Sequence, residues 1–210
     1  MDSFNKDLTE EQRLMKQSCR NFIDRVVAPF LREEWQREWN MDPSERLPDR
    51  ILKAADDISI RTLGVPEKYG GVELNPETEI RSFAIIAEEI ARGDSGLADK
   101  LVQNWKVAVL LRNLAAEHLQ KKWFTRLVEE HGLLFAHCLT EPKGASDRWL
   151  PYNVPEAAMD TIAQKIDGGW KINGRKQFIS NGFDAGLYVV YANTRPWSGV
   201  CVDDIKTCKH

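Results

Sequence analysis

The chain has 210 residues, of which 42% are hydrophobic and 29% are charged, as in globular rather than disordered proteins. A net charge of −3 excludes the strongly basic surface that nucleic acid or an anionic membrane would attract. No stretch approaches the roughly 20 apolar residues of a membrane span, and the first residues lack the basic and apolar regions of a signal peptide. The sequence therefore predicts a soluble cytoplasmic protein.

Metal binding is not expected from the cysteines. The four cysteines lie far apart, and in a chain without a secretion signal they are expected to be reduced thiols. Cys201, Cys208 and His210 lie close together, but their spacing matches no zinc pattern and supplies too few ligands.

The first predicted element is a long amphipathic helix. Thr9 and Gln12 form a capping-box pattern in front of an apolar stripe with spacings of three and four residues. Pro29 is expected to kink or end this helix, because it has no N–H to donate. The stripe consists of Leu14, Met15, Cys19, Phe22, Ile23, Val26, Val27 and Phe30.

Four further helices follow from the same periodicity. The second is expected to start at Pro48 and the third at Asn75-Pro76, whereas Asp94 or Ser95 caps the fourth and the fifth runs from Ala115 to Glu129. The third helix is expected to bury Ile80, Phe83, Ala84, Ala87, Ile90 and Ala91.

From Leu133 the pattern changes to short strands. Residues 133–139 form an apolar run that ends before Pro142, and residues 161–167 alternate up to a glycine turn that predicts a hairpin. Residues 176–180 and 187–192 are predicted as further strands. The sequence thus predicts an α+β fold with a helical domain at residues 1–132 and a β-domain at residues 133–210.

Two motifs in the predicted β-domain resemble a known family. Residues 139–147 (LTEPKGASD) and 173–182 (NGRKQFISNG) are similar to the TEPxxGSD loop and the NGxKxxITN-type strand of the acyl-CoA dehydrogenase family. Residues 64–71 (GVPEKYGG) and 88–97 (EEIARGDSGL) are similar to that family's N-terminal segments. The resemblance runs from about residue 8 to about residue 194. It implies an all-α N-terminal domain followed by part of an antiparallel β-domain.

The resemblance also implies a set of flavin contacts. The family's loop and strand lie against the flavin, and its loop serine lies over the pyrophosphate near the substrate thioester, a role that falls to Ser146. Ala145 stands where the family has glycine and Phe178 where it has tryptophan, and residues 148–158 lengthen the loop. The flavin contacts implied are His137, Cys138, Leu139, Thr140, Ser146, Phe178, Ile179 and Ser180.

The implied reaction is the FAD-dependent α,β-desaturation of an acyl-CoA thioester. The resemblance implies an electron-transfer flavoprotein or similar acceptor and a homo- or hetero-oligomer. In this family the catalytic base comes from a C-terminal helical domain, which is expected to lie beyond residue 210. No catalytic residue is therefore assigned.

Several alternatives stay open at this point. Phe178 and Ile179 are also explained as ordinary strand core, and Ser180 as a turn residue. Of the adjacent Glu88 and Glu89, one is expected to pair and the other to face solvent, since neighbouring helical positions point in different directions. The whole chain is also consistent with a non-catalytic subunit or degenerate paralogue, with a related flavin oxidase or monooxygenase, or with a fragment of a longer enzyme.

Overall fold

The structure is a computed structural model, and it describes residues 7–34, 49–144 and 159–194. In these ranges the chain forms six α-helices followed by five short β-strands. No helix in this part of the chain is long and apolar enough to cross a membrane. The helices are α1 Glu10–Phe22, α2 Ala28–Glu34, α3 Asp49–Asp57, α4 Glu79–Gly93, α5 Ser95–Leu114 and α6 Glu117–Glu129. The strands are β1 Phe135–Cys138, β2 Ile162–Ile166, β3 Gly169–Asn173, β4 Leu187–Val190 and β5 Asn193–Thr194.

The start of α1 is as predicted, and at Pro29 the helical path is distorted but continuous. The backbone amide of Gln12 donates to Thr9 Oγ1 at 3.2 Å, and the backbone amide of Thr9 donates to Gln12 Oε1 at 3.1 Å. These two bonds confirm the capping box. The helix does not end at Pro29, since a π-helical turn at Ile23–Val27 leads directly into α2. A proline ring crowds the carbonyl four residues before it, which here belongs to the π turn. The distortion therefore falls in the turn before the proline.

The predicted buried face of α4 is only partly correct, since Ile90 is buried as expected but the first predicted residue is not. Ile80 is 81% exposed, whereas Glu79 and Glu89 are buried. Glu79 accepts two hydrogen bonds of 2.8 Å from Arg112, and Glu89 accepts bonds of 2.9 and 2.6 Å from Arg20. Because each carboxylate has a guanidinium partner, it can face the interior. The glutamate before Glu89 is exposed, which confirms that only one of the adjacent pair is engaged.

Two apolar clusters hold the helices and the first strands together. One lies among α1, α3, α4 and α5, and the other joins α5 and α6 to β1 and β4 through residues such as Phe124, Phe135 and Leu187. The strand β1 is therefore packed on helices, and the domain boundary at residue 132 stays a prediction. Leu14, which was expected on the buried stripe of α1, lies outside both clusters and is 62% exposed.

The α+β class is confirmed, and the described strands pair in both the antiparallel and the parallel sense. β2 and β3 form the predicted antiparallel hairpin, while β1 pairs with β4 and β2 with β5 in parallel. The strand predicted at residues 176–180 is absent from the described part of the chain. Phe178 has a φ of +54°, which no strand allows, and the Gln177 amide donates to Thr140 O at 3.1 Å. This segment crosses the end of β1 instead of extending a sheet.

A histidine links the end of the helical part to α3. His131 Nδ1 lies 2.7 Å from Asp56 Oδ2, and its Nε2 lies 2.6 Å from Asp49 Oδ1. Hydrogen bonds to Asp56 and Asp49 raise the pKa of His131 above its ordinary value. The positive form of the imidazole is therefore favoured by folding. Asp56 is shared with the buried Arg61, so the histidine belongs to a larger network.

We expect stability to fall modestly as the pH rises past the folded pKa of His131. The contribution is complete below the unfolded pKa of about 6.5. It is at most about 1 kcal/mol, because the histidine is 42% exposed and solvent screens the pair. Urea unfolding between pH 5.5 and 9 measures it, with His131→Gln as the control. An equal pH dependence in that variant would contradict the assignment.

Candidate functional site

The two sequence motifs meet at the carboxyl end of β1. Leu139 and Thr140 directly follow the strand, where backbone groups leave the sheet ladder. The Gln177 amide donates to Thr140 O, and Lys176 Nζ donates to Leu139 O, both at 3.1 Å. Residues 37 positions apart are thus brought side by side, and the carboxyl ends of parallel strands are a common location for ligand sites.

A buried ion pair lies next to this junction, the contact between the two motifs at the end of β1. Glu141 Oε1 accepts from Lys176 Nζ at 2.8 Å, with side-chain exposures of 0% and 11%. The carboxylate also accepts from the backbone amides of Asp160 at 2.7 Å and Thr161 at 3.0 Å. Burial would raise the pKa of Glu141, but the bonds from Lys176 and these amides prevail and lower it to about 2. The Glu141 carboxylate is therefore ionised near pH 7.

Phe178 is presented to solvent. Its side chain is 87% exposed, and its backbone has a φ of +54°, a conformation that is rare for aromatic residues. The interpretation of Phe178 as strand core is wrong on both counts. Ile179 beside it is partly buried. An exposed ring on a backbone fixed by its neighbour Gln177 is a surface to which a flat ligand can bind.

The turn after Phe178 is fixed to the N-terminal half of α5. The Ser180 hydroxyl donates to the Asp99 carboxylate, and Lys100 Nζ lies 2.9 Å from Asp184 Oδ2. Asn181 donates to Lys100 O and to Phe135 O, each at 2.9 Å. Asp99, Lys100 and Asn181 were not predicted as site residues, because only the tertiary structure brings α5 to this turn.

His137 and Cys138 are placed differently from Leu139 and Thr140. His137 Nε2 lies 3.0 Å from Tyr191 Oη, and burial, assisted by Lys106, lowers the pKa of His137 to about 4. Cys138 is buried, and this burial raises the pKa of its thiol to about 11, against the opposing effect of Lys176. Since strand side chains alternate, these two residues point to opposite faces of β1. Both side chains are neutral near pH 7.

Some predicted features lie outside the described residues. These are Ser146, Ala145 and residues 148–158 of the loop, and the group of Cys201, Cys208 and His210. Cys19 and Cys138, which are described, are free thiols as predicted. Within residues 7–34, 49–144 and 159–194, no group of three or more histidine, cysteine or acidic side chains could hold a metal ion.

Known proteins resemble this chain along most of its length. The profile of the family described as "Acyl-CoA dehydrogenase, N-terminal domain" matches residues 9–131. Cyclohex-1-ene-1-carbonyl-CoA dehydrogenase of Syntrophus aciditrophicus is 31% identical over 200 residues, which are 94% of this chain and 43% of the relative. The chain belongs to the acyl-CoA dehydrogenase family.

Two solved structures extend the comparison to the fold. Butyryl-CoA dehydrogenase of Megasphaera elsdenii is 28% identical with a TM-score of 0.69, covering 89% of this chain and 45% of that one. An acyl-CoA dehydrogenase of Bacillus anthracis in complex with FAD is 28% identical with a TM-score of 0.70, covering 90% of this chain and 30% of that one. The chain thus spans less than half the length of these relatives.

Proposed function

We propose that this chain provides the FAD-binding part of an acyl-CoA dehydrogenase that introduces an α,β double bond into an acyl-CoA thioester. The main support is the contact between the two motifs, which places Thr140 beside the segment that presents Phe178. Family membership and the FAD complex of the Bacillus anthracis relative add to it. The acyl group is left open.

The residues at the junction fit a flavin. Phe178 offers an exposed ring for stacking, and such contacts contribute about 0.5–1.5 kcal/mol. Leu139 and Thr140 lie past the end of the strand, where a hydroxyl and backbone groups can bond to the rim of the ring system. Ser180 donates its single proton to Asp99, so its oxygen is left as an acceptor for a ligand. When bound, the flavin would accept the hydride from the substrate.

Glu141 is not the catalytic base. The base of such a desaturation must be able to take up a proton, and burial commonly raises its pKa. Glu141 is instead bound to Lys176 and has a pKa of about 2. We therefore assign no catalytic residue among the described residues. Ser146, predicted to contact the pyrophosphate and the thioester, keeps that role as part of this proposal.

The remaining partners also follow from the family resemblance. We propose an electron-transfer flavoprotein or a similar protein as the electron acceptor, and assembly into an oligomer. The cytoplasmic location stays a prediction. A non-catalytic paralogue that has lost the cofactor would differ from the proposed enzyme in giving no flavin absorption bands at saturating FAD.

FAD titration with Phe178→Ala tests the proposal. The purified chain is expected to bind FAD, and the variant to bind it about tenfold more weakly because the stacking contact is lost. Flavin fluorescence and the visible spectrum measure the dissociation constant. Since the Phe178 side chain is exposed, urea unfolding without FAD is expected to be unchanged.

Phe183→Ala is the matched control. Phe183 is the other highly exposed phenylalanine of this turn region, at 69%, and it has no assigned flavin contact. We expect its removal to leave the FAD dissociation constant within about threefold of the original, less than about 0.7 kcal/mol. The absence of FAD binding by the unmodified chain, or equal losses in both variants, would refute the proposal.

A further inference from the structure

The two motifs are joined by one buried pair of opposite charges. Glu141 belongs to the first motif and Lys176 to the second, and their charged atoms are 2.8 Å apart with side-chain exposures of 0% and 11%. A buried ion pair contributes little net stability compared with apolar residues, because desolvation offsets the attraction. The main effect of this pair is therefore expected in the arrangement that it imposes on the chain.

Each partner also makes further hydrogen bonds. The Glu141 carboxylate accepts hydrogen bonds from the backbone amides of Asp160 and Thr161, just before β2. Lys176 donates a second hydrogen bond to Leu139 O at 3.1 Å. The pair thus fixes the first motif, the start of β2 and the second motif at a single point.

The segments held in this way are those that present the proposed flavin contacts. Thr140 lies between Leu139 and Glu141, and Phe178 lies two residues after Lys176. The Gln177 amide bonds to Thr140 O at 3.1 Å, directly beside the ion pair. A displacement of the lysine would release this bond and change the distance between the threonine and the aromatic ring.

We propose that the Glu141–Lys176 ion pair positions Thr140 and Phe178 relative to each other, so that both contact the flavin ring at once. The inference rests on the proposed function. Neither residue touches the cofactor in this arrangement, so both are positioning residues. FAD affinity should then depend on this pair more strongly than on a charge pair outside both motifs.

The experiment compares Lys176→Met and Glu141→Gln with Glu79→Gln. Glu79 forms a two-bond pair with Arg112 in the helical part, with exposures of 9% and 24%, and it lies outside both motifs. FAD is titrated into each purified chain. We expect the dissociation constant to rise about tenfold or more in the two motif variants, which is about 1.4 kcal/mol, and less than threefold in Glu79→Gln.

A second measurement needs no FAD. Hydrogen exchange of the Gln177 amide is compared with that of the Phe135 amide, which bonds to Asn104 Oδ1 at 2.8 Å, in the same sample. We expect the relative exchange rate of Gln177 to rise about fivefold or more in Lys176→Met, since release of its hydrogen bond to Thr140 O is a local event. Glu79→Gln should leave this ratio unchanged.

These outcomes separate the two proposals. Absence of FAD binding by the unmodified chain, with faster Gln177 exchange in Lys176→Met, would refute the proposed function and leave the positioning role standing. FAD binding that is equally tight in Lys176→Met and the unmodified chain would overturn the inference alone. Should Glu141→Gln fail to fold, Lys176→Met decides the matter, because it keeps both amide bonds of Glu141.

Discussion

Replacing Arg61 with methionine is expected to lower the free energy of unfolding by about 3–5 kcal/mol. Arg61 is 2% exposed, and its Nη1 donates to Leu127 O at 2.7 Å and to Leu133 O at 2.9 Å. Its Nε donates to the Asp56 carboxylate. Methionine fills much of the same volume but leaves both carbonyls and the carboxylate without this donor. Urea unfolding followed by tryptophan fluorescence measures the loss.

Arg126→Met provides the comparison for this prediction. Arg126 forms an exposed pair with Glu130 one helical turn away, and we expect its loss to change the unfolding free energy by less than about 0.5 kcal/mol. An Arg61→Met protein within about 1 kcal/mol of the original would show that the two carbonyls find other donors. Because those carbonyls flank the passage from α6 into β1, the result also measures how firmly β1 is held on the helices.

Replacing Asn181 with alanine is expected to lower the free energy of unfolding by about 2–4 kcal/mol. The side chain is 5% exposed and donates both amide hydrogens, one to Lys100 O and one to Phe135 O. Its φ of +62° is tolerated by asparagine but costs alanine about 1 kcal/mol or more. FAD affinity should fall as well, since the turn after Phe178 loses its attachment to α5.

Asn181→Gly separates the two causes. Glycine removes the same hydrogen bonds but adopts a positive φ without strain, so this variant should be about 1 kcal/mol more stable than Asn181→Ala. A glycine variant that is no more stable than the alanine variant would contradict the positive φ. Two variants close to the original in stability would contradict the hydrogen bonds to Lys100 and Phe135. Thermal unfolding is a suitable second measure.

Locally determined features were predictable from the sequence. The capping box of Thr9 and Gln12, the Asp94 cap that accepts the Leu97 amide, and the hairpin between β2 and β3 each depend on residues a few positions apart. The resemblance in two motifs also indicated the family correctly, because the order and spacing of motif residues are properties of the chain itself.

Features that depend on distant partners were not predictable. The buried face of α4 contains Glu79 because Arg112, 33 positions away, neutralises it, and hydrophobic periodicity takes no account of such a partner. The strand expected at residues 176–180 is replaced by a crossing segment, because Lys176 and Gln177 bond to residues after β1. The β propensity of a short segment is weak compared with these contacts.

The sequence by itself therefore determined the α+β class, the caps of α1 and α5, the hairpin and the family. Only the tertiary structure decided that Phe178 is exposed, that Glu141 and Lys176 form a buried pair, and that Asp99 and Lys100 of α5 adjoin the turn at Ser180 and Asn181. The physical reason is that caps and turns satisfy backbone groups within a few residues. Buried charges, and an aromatic residue at a positive φ, are stable only where the surrounding structure supplies hydrogen-bond partners.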